Sequence, residues 1–103
     1  MKKYSIYQLD LHKPAVLNER IAYMSWDYIT NHTNGFNFKL YDKVYEGEIN
    51  SDDIDSIILE ELFRIFNIDH PSDFKGHSLS VSDVVILGGK KYYCDNYGWQ
   101  LIN

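Results

Sequence analysis

A chain of 103 residues, 45% of them apolar, is long enough for one domain with a modest core and excludes wholesale disorder. One cysteine excludes an internal disulfide, and neither a signal peptide nor a membrane span is recognisable, so a reduced, cytoplasmic protein is expected. The net charge of −5 is uneven: residues 42–73 hold ten carboxylates against Lys43 and Arg64, which disfavours direct nucleic-acid binding and favours a basic protein partner or plain solvation.

Lys3–Asp10 alternates, with Tyr4, Ile6 and Gln8 on one face and Ser5, Tyr7 and Leu9 on the other, as in a strand partly covered on both sides. Lys13-Pro14 breaks it. Leu17, Ile21, Met24 and Tyr28 fall at helical spacing, but the preferred reading is a short strand over Ile21–Met24, then a helix from Trp26 to about Asn31 capped by Ser25. Lys43–Ile49 predicts a second clear strand. Ser51 predicts the cap of a long helix over Asp52–Phe66, with Asp52 and Asp53 at its positive end and Ile54, Ile57, Ile58, Leu62, Ile65 and Phe66 on one apolar face. Glu60 and Arg64 stand at ion-pair spacing on the outer face, and Asn67 with His70-Pro71 stops the helix. Gly88-Gly89 predicts a tight hairpin joining Val84–Leu87 to Lys91–Cys94, pairing Leu87 with Lys90 and Val85 with Tyr92, so that Val85, Leu87, Tyr92 and Cys94 share a core face. Trp99–Ile102 closes the chain as a fifth strand. The expected fold is α+β: one domain over residues 1–103, a mainly antiparallel β-sheet with one long amphipathic helix packed on one face and a second short helix.

Sites of chemistry are sparse. His70 and His77, with Asp69 and Asp73 nearby, lack any recognised metal-ligand spacing, and loop hydrogen bonding explains them better. Ser78, Ser80, Ser82, His77 and Asp83 supply the residue types of a hydrolase triad, but without a GxSxG elbow; such residues more often close turns before a strand, so the set is read as structural. Gly88-Gly89-Lys90-Lys91 lacks the spacing of a phosphate loop. No catalytic residue, metal or cofactor is assigned. The acidic block remains, either as a solvated face or as a surface that fills a basic groove; in the latter case Glu46, Glu48, Asp52, Asp53 and Glu60 are the binding candidates, with Asp53 and Glu60 sharing a helix face at a separation of seven.

The succession Tyr4-Ser5-Ile6-Tyr7-Gln8-Leu9, Val44-Tyr45-Glu46-Gly47-Glu48, Phe74-Lys75-Gly76-His77-Ser78-Leu79-Ser80-Val81-Ser82-Asp83-Val84-Val85, Tyr92-Tyr93-Cys94-Asp95 and Gly98-Trp99 resembles the YodL-like domain. That resemblance implies a context in Firmicute mobile elements, often within larger polyvalent proteins that travel with antirestriction genes, and it implies no catalytic residues. The expectation is a non-enzymatic inhibitor of a host defence nuclease, foremost an anti-CRISPR protein that meets the basic surface of a type II effector. The alternative is an accessory interaction domain of a plasmid or transposon replication or transfer system.

Overall fold

Strand β1 (Lys2–Leu9) lies inside the sheet and carries a core on each of its faces. Tyr4 and Ile6 point into one cluster and Leu9 into the other, as the two-residue period of a strand requires. A computed structural model describes residues 1–102 and arranges five strands, all antiparallel, in the order β2-β1-β3-β4-β5. The other strands are β2 (Tyr41–Ile49), β3 (Val84–Leu87), β4 (Lys90–Cys94) and β5 (Trp99–Ile102). Helix α3 (Asp55–Ile68) covers one face, burying Ile58, Leu59, Leu62 and Phe66 against Tyr4, Ile6, Val85 and Leu87. The opposite face is covered by α1 (Pro14–Glu19), α2 (Trp26–His32) and the aromatic segment leading through a 3₁₀ turn at Phe38–Leu40, all packed on Leu9, Val84 and Tyr93. This is the expected α+β architecture, with Ile58 and Leu62 fully buried.

Local chemistry accounts for several elements. The Ser25 hydroxyl accepts from the Tyr28 amide and starts α2. Gly88 and Gly89 both take positive φ, and the turn they form sets the register Leu87 with Lys90 and Val85 with Tyr92.

Three expectations need correction. Ile21–Met24 is not a strand. Pro14 at the first position of α1 starts a helix there, Arg20 ends it in the left-handed region, and Ile21–Met24 is a turn closed by Met24 N–H on the Ile21 carbonyl, with Tyr23 also at positive φ. Helix α3 begins at Asp55, not Asp52, and runs on to Ile68: Ile54 is its N-cap residue, and the Ser51 hydroxyl instead accepts from the Asp53 amide in a local turn. In its first turn Asp55 binds Lys2 at 2.6 Å and accepts from the Tyr92 hydroxyl; these contacts hold its carboxyl below the ordinary range, Lys2 first. The inward face is also narrower and shifted: Leu59 is buried beside Ile58, Leu62 and Phe66, while Ile57 faces out and Ile54 stands exposed before the helix. Arg64 pairs with Glu61 through both Nε and Nη2, and not with Glu60.

Candidate functional site

An open groove of about 800 Å³ runs between the end of β2 and the outer side of α3. Ile49 and Ser51 form one wall, Ile57 and Ile65 supply apolar floor, and Asp53 and Glu60 stand on its margin. Ile57 is 52% exposed and the neighbouring Ile54 67% exposed, because α3 presents four other apolar residues to the sheet and has no room for these two. Arg64, the cation that lines the groove, is engaged with Glu61, and Lys2 with Asp55. Asp53 and Glu60 therefore face the solvent without an ion-pair partner among the described residues.

The five candidate acids do not form one surface. Asp53 and Glu60 meet at the groove, although Asp53 reaches it from the loop before α3 and not from a shared helical face. Asp52 is exposed in the same loop and does not line the groove. Glu46 and Glu48 lie on the other side of the sheet. Tyr45, their neighbour in β2, packs into the cluster under α3, so strand alternation sends Glu46 and Glu48 the opposite way, opposite Ser5 and Lys3 of β1. A bulge at Val44, where the register with β1 shifts between Ile6 and Tyr7, brings Val44 and Tyr45 into the same cluster.

The second concentration of polar groups is buried. Gln8, on the face of β1 shared with Tyr4 and Ile6, sends its amide nitrogen to the His77 carbonyl at 2.8 Å and to Asp83 Oδ2 at 3.0 Å. Its amide oxygen accepts from His77 N–H at 3.2 Å. Asp83 Oδ2 also accepts from the Ser80 amide at 2.8 Å. Burial pushes the Asp83 carboxyl up to about 7, against the two donors, Ser80 and Gln8, which pull it down. Ser82 takes a positive φ; its hydroxyl accepts from Tyr23 N–H at 2.9 Å, and its carbonyl accepts from the Tyr41 hydroxyl at 2.6 Å. Ser80 donates its hydroxyl to the Ser78 carbonyl.

A catalytic triad needs a serine hydroxyl on the imidazole, and none is there among the described residues. His77 Nδ1 faces the Ser78 carbonyl at 2.7 Å, and its Nε2 is 3.9 Å from Asp83 Oδ1, beyond hydrogen-bond reach. His70 lies against the Phe74 ring and contacts the Pro71 carbonyl. No group of three His, Cys, Asp or Glu is placed to hold a metal ion among the described residues. Cys94 is buried, and burial pushes its thiol up to about 12, far from a reactive thiolate.

The family model of the YodL-like domain matches residues 3–103. The chain belongs to this family. No curated protein and no solved structure matches it. In this YodL-like domain the His77–Asp83 segment ties the strand start at Val84 to Gln8 of β1 and to the Tyr23 turn, which are far away in sequence. From sequence, Gln8 and Tyr23 receive no site role and Ile57 is assigned to the buried face of the helix, whereas it is half exposed in the groove. Gln8 did carry a signal, as a polar residue at a core-facing position of an otherwise aromatic and aliphatic alternation; Tyr23 carried none, since nothing local demands its left-handed backbone.

Proposed function

We propose that this YodL-like domain is a non-enzymatic binding module that inhibits a basic, nucleic-acid-processing effector, in its most specific form a type II CRISPR nuclease of the host. The observation that supports this reading is the groove on α3, where Asp53 and Glu60 stand without ion-pair partners beside the half-exposed Ile57 while Arg64 is paired with Glu61 and Lys2 with Asp55. A channel built for nucleic acid is lined with Lys and Arg, and carboxylates beside an apolar anchor compete for such a surface. The hydroxyl-rich segment is the scaffold in this reading, since the Ser80 and Ser82 hydroxyls and the Asp83 carboxylate are engaged with backbone groups and Gln8.

The test measures DNA cleavage by a purified type II effector with and without the protein, and association across a salt series. Inhibition should weaken as salt rises. The double variant Asp53→Lys, Glu60→Lys should keep its fold and associate on the order of tenfold more slowly. An unimpaired double variant would exclude the groove as the binding surface. Retention of a relaxase or primase from host extract, with cleavage untouched, would favour the accessory role in replication or transfer.

A further inference from the structure

A surface that works by charge alone has no use for bare isoleucine. Ile54 and Ile57 are three apart at the start of α3, and Ile57 continues into Ile65 along the groove, eight residues or about 12 Å of helix axis. Ile57 is half exposed and Ile65 only partly covered by the core beneath α3, and with Asp53 and Glu60 lining the same groove they cannot be covered by an acidic or neutral surface at no electrostatic loss. An occupant must therefore be apolar on one side and cationic on the other.

Backbone chemistry narrows it further. The long wall of the groove is α3, whose amides and carbonyls are spent within the helix, and the edge strand β2 reaches the groove only with its last residue, Ile49, so an extended segment laid along α3 would find few backbone partners. A helix satisfies its own backbone and offers a stripe of side chains at three- and four-residue spacing.

We propose that the groove on α3 receives a basic amphipathic helix of the partner protein, its aliphatic stripe seated on Ile57 and Ile65 and its Lys or Arg side chains directed at Asp53 and Glu60. This rests on the binding role proposed above and specifies the partner element that fills the groove.

The probe is a synthetic peptide of about 18 residues, long enough to hold a helix, built from Lys, Arg and Leu with the leucines on one face and followed by fluorescence anisotropy. Of two controls, one has the same composition with the leucines scrambled around the helix, and the other replaces one central residue with proline. The amphipathic peptide should bind at least about tenfold more tightly than either control, and Ile57→Ser, at a half-exposed position that leaves the melting temperature in place, should weaken it by about tenfold. Equal binding of the scrambled peptide, or of the Ile57→Ser variant, would reduce the interaction to net charge and overturn the proposal. Equal binding of the proline peptide would replace the helix with an extended occupant and overturn it as well. Effector inhibition that survives Ile57→Ser defeats the helix-in-groove proposal and spares the inhibitory role; peptide binding without effector inhibition does the reverse.

Discussion

Asp83 should make the protein lose stability as pH rises from about 4 to about 7. Its carboxyl is buried in the fold and is raised from an ordinary 3.8 to about 7, chiefly by burial. A carboxyl with a raised folded value contributes its stability in full below the unfolded value, and that contribution drains away as pH climbs toward the folded one, here between about 4 and 7. At about 1.4 kcal/mol per pH unit, the full difference is on the order of 4 kcal/mol. Asp55 has the opposite sign: its lowered value adds stability that is lost only on acidification below its ordinary 3.8, outside this window. Asp83→Asn keeps an acceptor for the Ser80 and Gln8 amides and removes the charge. Urea unfolding of the parent and of Asp83→Asn, from pH 4.5 to 8, should give curves that nearly meet at the acid end and separate steadily above it, with the Asn variant the more stable. His77→Gln should retain the parental slope, because burial and not the imidazole is the leading cause. Asp83→Ala should lose stability at every pH, since the Ser80 amide loses its acceptor and the Gln8 amide loses one of two. A parent that gains stability between pH 5 and 7, or an Asn variant that keeps the parental slope, would refute the reasoning.

Two further outcomes concern packing. Leu62→Ala, at a position with no exposed surface, should cost about 2–5 kcal/mol in chemical denaturation, while Ile54→Ser should stay within about 0.5 kcal/mol. Gly76→Ala should lower the calorimetric melting temperature, with a loss of about 1–3 kcal/mol, because the added Cβ would stand 2.5 Å from Gln8 Oε1 and 2.9 Å from the Phe74 ring and would break the Gln8 contact with the His77 amide.

Features set by neighbouring residues were legible in the chain itself. The alternation of Lys3–Asp10 placed Tyr4 and Ile6 opposite Tyr7 and Leu9, Ser25 marked the start of α2, and Gly88-Gly89 named both the hairpin and its register. Each depends on a two- or four-residue rule that tertiary structure had no reason to override. The inward face of α3 was legible at Ile58, Leu62 and Phe66 for the same reason.

Long-range contacts decided the rest. Asp55 meets Lys2 and Tyr92, partners 53 and 37 residues away, at the first turn of α3, and the sheet it packs on decides which side of the helix is inward, leaving Ile57 outside and Asp53 in the preceding loop. Strand pairing with β1 put Glu46 and Glu48 on the far side of the sheet from Asp53 and Glu60, although all four belong to one acidic run of the chain. The Gln8–Asp83 contact joins residues 75 positions apart, and no local pattern contains it. Charge and periodicity are properties of a segment, but a shared surface is made by the elements that pack around it, so the sequence determined which residues were acidic or apolar and the tertiary structure determined which of them stand together.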